Sequence, residues 1–446
     1  MDAVTRRAFL RQGGLAAGAA VLTAAGARSV LGAGDRVNVA MIGCGGRGRY
    51  VTRGLIEAGA NLTMLCDLHD GRLSGCWKFL SDVQKAEPKL VKNMQEVFDS
   101  KDVDAVVVAT PDRWHAPASI RACQAGKDVY VEKPHSHNLW ESGKMVEAAA
   151  KHNRLIQVGT QNRSGPYTIA ARDYVKTGKL GKIALVRVFN MKAGGAFKLG
   201  DPGKPPEGFN WDAWLGSAPE RPYHQHIFNG GWHQFWDFCG GDMTDDGIHQ
   251  LDLALMLMGD PAPPKSVRCL GGRYAHRGDG SEVPDVQMAS WDYGQFMMTF
   301  EQTGYPRYME KTSGTIRRND VLPYWTMNAT RIELYGSELL MTVGRHGGGW
   351  IVQQSGGRIV EQMFGRPCDE PHYANFLECI KSRKKPNADI SIAHASNVAA
   401  HMGNIAHRVG NVGLNYDAEG VKFDNDAANK LIRPPYRKGY EIPDEV

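Results

Sequence analysis

A glycine-rich turn between an apolar strand and a helix is the feature that most constrains how this chain can fold. Residues 37–42 form an apolar run typical of a buried parallel strand, and Gly43, Gly45 and Gly48 follow at once in a G-x-G-x-x-G pattern. In this context Gly43 permits a tight turn, Gly45 lets the backbone approach a pyrophosphate, and Gly48 lets helix and strand pack closely. The pattern predicts a dinucleotide-binding unit within a doubly wound parallel sheet.

An aspartate at the end of the second predicted strand bears on which nicotinamide cofactor binds. Residues 62–66 are mainly apolar and end at Asp67, near the spacing of about 20 residues after Gly43 that is expected for the ribose-binding acid. A carboxylate there accepts from the ribose 2′-hydroxyl and repels a 2′-phosphate, so Asp67 favours NAD over NADP. Arg47 and Arg72 are close enough in sequence to leave NADP possible.

Polar residues follow each of the next three predicted strands, which cover residues 103–109, 128–131 and 155–158. A doubly wound sheet binds its ligand at the carboxyl ends of its strands, so these clusters contain candidate cofactor contacts. Together with the glycine turn, the cofactor-binding candidates are Gly43, Gly45, Arg47, Gly48, Asp67, Thr110, Pro111, His115, Glu132 and Gln161.

The N-terminus resembles a twin-arginine export signal. Arg6 and Arg7 precede an apolar stretch of small residues that ends at Ala25-Gly26-Ala27, which fits an A-x-A cleavage site. The alternative is an arginine pair that opens an ordinary helix. We interpret residues 1–33 as a signal peptide, which predicts the Tat export machinery as a partner and a periplasmic or other extracytoplasmic location. Because nicotinamide cofactors are made and recycled in the cytoplasm, we expect this one to be tightly bound.

Composition argues against several other classes of protein. Most of the formal net charge of +5 comes from the leader, so the remaining chain is close to neutral and nothing suggests nucleic acid. No segment after the leader resembles a membrane span. The eight cysteines lack zinc-ligand spacing, and we expect free thiols because twin-arginine substrates fold before export in a reducing compartment. His224-x-His226 suggests a metal, but no carboxylate cluster supports it, and we predict no metal site.

Four motifs resemble, in order, those of the Gfo/Idh/MocA family of sugar and polyol oxidoreductases. They are the glycine turn, Thr110-Pro111 with His115, Glu132-Lys133-Pro134, and Asp245-Asp246-Gly247-Ile248-His249. The resemblance covers roughly residues 36–440 and implies an α/β protein. It implies a Rossmann domain over 34–160 and a second α/β domain over 161–446, whose open, largely antiparallel sheet often serves as an oligomer interface. It therefore implies a homo-oligomer. It also implies that Lys133, Asp245 and His249 are the catalytic residues.

The chemistry of these three residues fits the same roles. Burial beside a nicotinamide site is expected to depress the pKa of Lys133 toward neutrality, so that the lysine takes a hydroxyl proton as hydride leaves. Asp245 and His249 are four residues apart, which predicts one shared helix face with His249 as acid or base. The alternatives are a surface lysine before a turn, a capping aspartate with a core histidine, and Asp252 as the partner of His249.

A long segment rich in glycine, proline and aromatic residues covers 194–242. Segments of this length in a compact domain are usually functional, and tryptophan rings suit sugars, so we predict a loop that covers the substrate. The alternative is aromatic packing under an oligomer arm. The substrate-binding candidates are Arg163, Trp232, His233 and Trp236.

Short alternating segments later in the chain predict the antiparallel sheet of the second domain. They cover residues 266–270, 286–292, 296–300, 331–335, 339–343 and 350–354. Two helices are predicted over 371–382 and 391–409.

The leading hypothesis for function is hydride transfer between a tightly bound NAD(P) and a carbohydrate or polyol hydroxyl. One substrate is oxidised and a second is reduced, so the cofactor is regenerated in place. The first alternative is a redox-neutral glycosidase or lyase, in which a sugar is transiently oxidised, a bond is eliminated and the sugar is reduced again. The second alternative is a non-catalytic sugar-binding protein that keeps the fold. The pattern of residues leaves the sugar, the carbon and the oligomer number open.

Overall fold

The structure is a computed structural model that describes residues 36–446; the predicted signal peptide, residues 1–33, lies outside them. The first sheet consists of β1 (Asn38–Ile42), β2 (Asn61–Cys66), β3 (Lys89–Val91), β4 (Ala105–Val108), β5 (Asp128–Val131) and β6 (Ile156–Val158). Its strands are parallel and run in the order β3-β2-β1-β4-β5-β6. This is the order of a doubly wound Rossmann sheet, and it confirms the predicted architecture.

Helices cover both faces of this sheet, which explains why its strands are apolar throughout. They are α1 (Gly46–Glu57), α2 (Asp70–Leu80), α3 (Met94–Asp99), α4 (His115–Gln124) and α5 (Leu139–Lys151). Alternate residues of β1 enter two separate cores: Ala40 packs in the core that contains α4 and α5, and Met41 packs in the core that contains α1 and α2. Burial on both faces is typical of parallel sheets.

The second sheet is mixed but largely antiparallel, as predicted. Its strands are β7 (Ile183–Asn190), β8 (Ser266–Gly272), β9 (Val286–Asp292), β10 (Met297–Thr303), β11 (Arg331–Gly336), β12 (Leu340–Gly344), β13 (Trp350–Gln353), β14 (Ile359–Met363), β15 (Gly413–Asp417) and β16 (Lys422–Phe423). They run in the order β14-β13-β12-β11-β7-β10-β9-β8-β15-β16. The pairing of β7 with β10 is parallel. The sequence patterns did not predict β7, which lies inside the sheet between β11 and β10.

The remaining helices are α6 (Pro166–Lys176), α7 (Trp211–Leu215), α8 (Gln225–Phe228), α9 (Gly241–Asp245), α10 (Gly247–Leu257), α11 (Gly314–Arg318), α12 (Asp369–Ser382), α13 (Ile390–Arg408) and α14 (Asp426–Ile432). Helices α12 and α13 confirm the two helices predicted there, with ends shifted by one or two residues. Helix α10, buried along its whole length, packs with α13 against one face of the second sheet. Helix α12 returns to the first sheet, where Tyr373 contacts Gly54 of α1.

Several properties of the described residues bear on the expectations from composition. All eight cysteines lie within residues 36–446, and there they are buried free thiols, as expected. No group of three or more His, Cys, Asp or Glu side chains that could hold a metal ion occurs in this part of the chain. None of the helices between residues 36 and 446 is both long and apolar enough to cross a membrane.

Candidate active site

The glycine turn after β1 has the geometry that its sequence predicts. Gly43 has φ of +98°, a left-handed conformation that favours glycine, and a side-chain carbon added there would lie 2.6 Å from the Ala109 carbonyl oxygen. A carbon added at Gly48 would lie 2.2 Å from the Gly43 carbonyl oxygen, so only glycine lets α1 pack this closely. A carbon added at Gly45 meets no atom within 4 Å. Gly45 therefore faces the open space that a pyrophosphate would enter.

A cavity of about 760 Å³ opens beside this turn. We call it the first cavity; its volume lies in the range of small-molecule sites. The structure brings most of the predicted cofactor residues to its wall, namely Gly43, Gly45, Arg47, Asp67, Thr110, Pro111, His115 and Glu132, and Lys133 lies there too. Gly48 lies behind the turn, and Gln161 lies outside this cavity. The open space at Gly45 and the acid at the end of β2 fit a dinucleotide.

Asp67 holds the turn as well as lining the cavity. Its Oδ2 accepts from the Cys44 backbone N–H at 2.8 Å and its Oδ1 accepts from the His69 backbone N–H at 2.9 Å. Burial raises the pKa of Asp67 above its ordinary value, against the opposing effects of Arg72 and the two N–H groups. The Arg72 guanidinium donates to the Phe228 carbonyl at 2.8 Å and lies 3.8 Å from the centroid of the Phe228 ring.

The strand-end residues hold each other in place. Arg47 Nε donates to Glu132 Oε1 at 2.8 Å, so both side chains already have a partner. The buried His115 ring lies between two carbonyl oxygens, 2.6 Å from that of Pro134 and 2.8 Å from that of Thr110. His115 therefore ties the ends of β4 and β5 together, and both of its ring nitrogens are occupied by the protein.

Lys133 forms a half-buried ion pair with Asp245 from α9. Lys133 Nζ lies 2.6 Å from Asp245 Oδ1 and also donates to the Asp245 carbonyl oxygen. His233 Nε2 lies 3.7 Å from the same carboxylate oxygen. The pairing joins the first sheet to the segment before α10, and it places one cation and one anion at the end of the first cavity.

The prediction that burial depresses the pKa of Lys133 is wrong in sign. Burial alone lowers this pKa, but Asp245, with Glu132 and Asp112, outweighs burial and raises it above the ordinary value. Burial alone would likewise raise the pKa of Asp245, yet Lys133 and His233 hold it well below its usual range. Lys133 is therefore a charged ammonium at neutral pH rather than a free base.

His249 lines a second cavity of about 310 Å³, which we call the second cavity. Arg47 and Lys133 line both cavities, and Gln161 lines the second. Gln161 Nε2 donates to the Tyr130 hydroxyl at 3.1 Å. His249 Nδ1 is buried and has no hydrogen-bond partner among the described residues. Burial, followed by the charges of Arg345 and Lys133, lowers the pKa of His249 well below its ordinary value, so the ring is neutral at neutral pH.

Asp245 and His249 do not share one continuous helix face, contrary to the sequence-based expectation. Helix α9 ends at Asp245 and α10 begins at Gly247, with a break at Asp246. The break turns Asp245 toward Lys133, while His249 in the first turn of α10 faces the second cavity. Asp246 itself is held by lysines, with Lys311 Nζ at 2.8 Å and Lys192 Nζ at 3.1 Å.

Arg163 is not a substrate residue in this structure. Its side chain is buried, its Nε lies 2.9 and 2.8 Å from the two carboxylate oxygens of Asp252, and its Nη2 lies 2.9 Å from Asp260. Ser396 of α13 also donates to Asp252 at 2.6 Å. The prediction that Arg163 contacts substrate is wrong, because its guanidinium is already bound by Asp252 and Asp260. The same network removes Asp252 as a partner for His249.

The aromatic segment mostly packs on itself rather than presenting sugar platforms. The rings of Trp211 and Trp214 stack with centroids 4.5 Å apart, and Phe209, Trp214 and Phe228 belong to one buried cluster. Trp214 and Phe228 line the first cavity, as the glycine turn does. The segment therefore covers the predicted cofactor space, and the expectation of a loop over the substrate alone needs correction.

The two tryptophans predicted to bind substrate lie in different parts of the structure. Trp232 and His233 stack on each other, with ring centroids 3.6 Å apart, and both line the first cavity near Asp245. Trp236 lies elsewhere, because its indole N–H donates to the Glu282 carbonyl at 3.2 Å and its ring borders a separate cavity of about 180 Å³. Trp236 therefore lines neither the first cavity nor the cavity that contains His249.

Sequence reasoning missed two kinds of functional candidate. Asp112, directly after Thr110-Pro111, is buried in the wall of the first cavity, and burial raises its pKa to about 8 against the opposing charge of Lys133. Its position in a polar strand-end cluster was an available signal. Arg345 lies in the turn after β12 and lines the second cavity, and no local pattern connects it to His249.

The glycine turn allows a direct test of the cofactor site. Gly45→Val is expected to leave the thermal stability of the cofactor-free protein unchanged and to weaken NAD binding about ten- to hundredfold, because the added carbons occupy open space where the pyrophosphate fits. Gly48→Ala is the matched control, and it should lower the Tm because its added carbon meets the Gly43 carbonyl. Calorimetric titration and thermal unfolding of both variants measure this. Unchanged NAD affinity in Gly45→Val would contradict the assignment.

Two family models match the chain. Residues 37–160 match a model described as an oxidoreductase family with an NAD-binding Rossmann fold. Residues 183–316 and 357–442 match the model of the C-terminal alpha/beta domain of an oxidoreductase family. Together the matched residues make up well over half of the chain.

Similar proteins include dehydrogenases and oxidoreductases. The scyllo-inositol 2-dehydrogenase (NAD(+)) of Bacillus subtilis strain 168 is 24% identical over 359 residues, which cover 79% of this chain and 88% of the relative. The WlbA dehydrogenase from Bordetella pertussis, solved with NADH and UDP-GlcNAcA, has a TM-score of 0.61 and 20% identity, covering 86% of this chain and 99% of that one. The aldose-aldose oxidoreductase from Caulobacter crescentus, solved with glycerol, has a TM-score of 0.62 and 18% identity, covering 85% and 99%. At these identities the structural likeness shows the fold.

Proposed function

Because the chain belongs to the Gfo/Idh/MocA oxidoreductase family, we propose that it transfers hydride between a tightly bound NAD and a hydroxyl-bearing carbon of a carbohydrate or polyol. The observation that carries the proposal is the position of Lys133, which lines both the cavity of the glycine turn and the cavity of His249. The nicotinamide, when bound, supplies the hydride acceptor or donor. The residues of the two cavities bind the reactants and handle the proton.

The cofactor is held by the wall of the first cavity. The backbone at Gly45 admits the pyrophosphate at the N-terminus of α1, and Asp67 receives a ribose hydroxyl. NAD is favoured over NADP because Asp67 repels a 2′-phosphate and the nearby arginines are engaged: Arg72 donates to Phe228, and Arg47 pairs with Glu132.

The proton is handled by His249. Its Nδ1 is buried without a hydrogen-bond partner among the described residues and is therefore available to accept the hydroxyl proton during oxidation. Lys133 stays charged because of Asp245, so its role is to donate a hydrogen bond to the substrate oxygen and stabilise negative charge that develops there. Asp245 positions Lys133. In the sequence-based hypothesis Lys133 took the hydroxyl proton, with His249 as acid or base. Here His249 takes the proton, and Lys133 donates a hydrogen bond.

Tight binding is supported by how the aromatic segment is attached over the first cavity. The buried Arg113 guanidinium donates to the Leu215 and Trp214 carbonyl oxygens and lies 4.3 Å from the Trp214 ring centroid. Arg72 makes a second attachment at Phe228. We infer that these contacts hold the aromatic segment at the wall of the first cavity, which favours a cofactor that remains bound through many turnovers.

Export and assembly form two further parts of the proposal. The twin-arginine leader places the mature enzyme outside the cytoplasm, in agreement with a cofactor that is not exchanged. The uncovered face of the second sheet carries exposed apolar side chains, among them Leu270, Met288 and Met297, at 61%, 52% and 48% exposure. Apolar side chains grouped on one face suit a contact between copies of this chain, so we propose a homo-oligomer.

The first experiment is to denature the purified, exported protein and identify what it releases by absorbance and mass spectrometry. We expect stoichiometric NAD(H). Release of NADP(H) would overturn the cofactor preference, and the Gly45→Val variant prepared in parallel is the matched control. A protein that releases nothing and fails to bind added NAD or NADP would reject the oxidoreductase proposal in favour of a sugar-binding protein.

A resident cofactor is compatible with two cycles, which product analysis separates. Oxidation of one sugar coupled to reduction of another supports the oxidoreductase. Free sugar released from a glycoside without net change in the nicotinamide supports the redox-neutral glycosidase or lyase. The aromatic segment at the wall of the first cavity favours a cycle in which the cofactor stays bound, whichever reaction occurs. We propose the coupled oxidation of one sugar and reduction of another.

A further inference from the structure

The second cavity carries more positive charge than its protein partners neutralise. Among the residues that line it are four cations, Arg47, Lys133, Arg317 and Arg345, and a single carboxylate, Asp369. Arg47 is already paired with Glu132, and Lys133 with Asp245. The positive charge that has no carboxylate partner among the described residues therefore lies on Arg317 and Arg345.

Neither of these guanidiniums has an acidic partner within residues 36–446. No carboxylate of that part of the chain comes within the 4.0 Å limit of an ion pair with Arg317 or Arg345. The Arg345 guanidinium contacts the neighbouring His346 ring through Nη1, whereas its Nε has no hydrogen-bond partner among the described residues. Asp246 lies near Arg345, but its carboxylate is already held by two lysines, at 2.8 and 3.1 Å. Two half-buried guanidiniums with no carboxylate of the described chain at ion-pair distance leave positive charge at the cavity wall, which an anion would neutralise.

The protein fixes both arginines in place before any ligand binds. The Arg345 backbone donates to the Thr330 carbonyl at 3.0 Å and accepts from Asn162 Nδ2 at 2.8 Å. Arg317 Nε donates to the Thr312 carbonyl at 2.7 Å, and its side chain packs against Gly347 in the turn that carries Arg345. The Arg345 backbone and the Arg317 side chain are thus held on neighbouring segments, which reduces the reordering that binding an anion requires.

The pKa shifts of three neighbouring groups agree with an excess of positive charge at the second cavity. Burial, followed by Arg345, lowers the pKa of Arg317, of His249 and of His346. Each of these groups therefore lies near the positive charge of Arg345, and the nearby Asp246 carboxylate is shared with two lysines. A bound anion would remove this repulsion, and a neutral sugar would not.

We propose that Arg345 and Arg317 bind an anionic group of the substrate, a carboxylate, phosphate or sulfate, beside Lys133 and His249. The guanidinium fork matches the paired oxygens of these groups, whereas a neutral polyol that displaced water from the cavity would leave both charges desolvated. The substrate class is thus an acidic sugar or polyol. This inference rests on the proposed function, because the cavity that holds the arginines is also the one that His249 lines.

The test is a calorimetric comparison of ligands that share one ring, using the full-length protein with its cofactor. Glucose, glucuronate, glucose 6-phosphate, glucose 6-sulfate and inorganic phosphate are titrated in turn. We expect at least one anionic sugar to bind about tenfold or more tightly than glucose, and the best of the three identifies the anionic group. Arg345→Gln should weaken its binding about ten- to hundredfold. Arg317→Gln, on a different segment, should weaken it in the same direction.

Arg318→Gln is the matched control, because Arg318 is exposed and adjacent to Arg317. It should leave the affinity unchanged, and Arg345→Lys should restore part of it. The inference is overturned if glucose binds as tightly as every anion, if no anion binds, or if Arg318→Gln has the effect of Arg345→Gln. Hydride transfer is followed separately by the absorbance of the reduced nicotinamide. Selective anion binding without any redox change would reject the proposed function alone, and redox change with unselective binding would reject this inference alone.

Discussion

Lys133→Met is expected to lower kcat by about 10²- to 10⁴-fold while the fold and the bound cofactor survive. Methionine fills a similar volume but removes the ammonium that lies 2.6 Å from Asp245 and at the junction of the two cavities. The loss is expected at the reacting oxygen because, among the described residues, Lys133 is the one lysine that lines the second cavity with His249, whereas Lys92 lines the first cavity. Turnover is measured with the best substrate from a panel of hexoses, acidic hexoses and polyols, alongside cofactor content and thermal unfolding.

Lys127→Met is the matched control for this loss. Lys127 is also buried in the Rossmann part, where its Nζ donates to the Ser100 carbonyl at 2.6 Å, but it lines neither cavity. Its replacement removes a buried ammonium and should leave kcat unchanged. If Lys133→Met lost no more activity than Lys127→Met, the catalytic assignment would be wrong and the sugar-binding alternative would gain support.

The pH dependence of Asp245→Asn provides a second readout of the same pair. Asp245 is the main charge that raises the pKa of Lys133, so its removal lets burial lower that pKa. If Lys133 must be protonated, activity falls as pH rises through its pKa. The alkaline limb of the pH–rate profile should therefore lie above the ordinary lysine value of about 10.4 in the wild type and move to lower pH in Asp245→Asn. A limb that stays in place would contradict the positioning role of Asp245.

Arg163→Met is expected to reduce the free energy of unfolding by about 3–5 kcal/mol. The substitution leaves Asp252, which is completely buried, without its cation, and it breaks the contact that joins the turn after β6 to α10. Denaturant unfolding of the cofactor-free protein measures the change. The effect is on stability because the guanidinium lies in a closed network rather than in a cavity wall.

Arg172→Met is the control for Arg163, because Arg172 lies on the neighbouring helix α6 and pairs only with Asp173, which is exposed. It should change stability by at most about 1 kcal/mol. The double variant Arg163→Met, Asp252→Leu should recover part of the loss, since it removes the orphaned charge. A stable Arg163→Met with a raised KM would instead restore Arg163 as a substrate residue.

Much of the fold followed from local pattern. The continuous apolar strands and the glycine turn predicted the Rossmann sheet, and the alternating segments after residue 265 predicted most of the second one. Strand β7 was missed, although Ile183–Asn190 alternates, because its identity as an inner strand depends on β10 and β11, which are encoded more than 100 residues later. The break between α9 and α10 was missed for a similar reason, since the spacing of Asp245 and His249 fits an unbroken helix.

The residue types around the reaction centre could also be predicted from the sequence, but their charge states and their neighbours in space could not. The motifs identified Lys133, Asp245 and His249, and the glycine turn predicted where a dinucleotide would lie. Tertiary structure decided that Lys133 is charged, because Asp245, separated from it by 112 positions, comes within 2.6 Å. It likewise placed Arg163 in a closed ion-pair network and brought Arg345 to the cavity of His249. Strand and turn formation depends on neighbours in sequence, but the pKa of a buried group depends on every charge within a few ångströms, whatever its position in the chain.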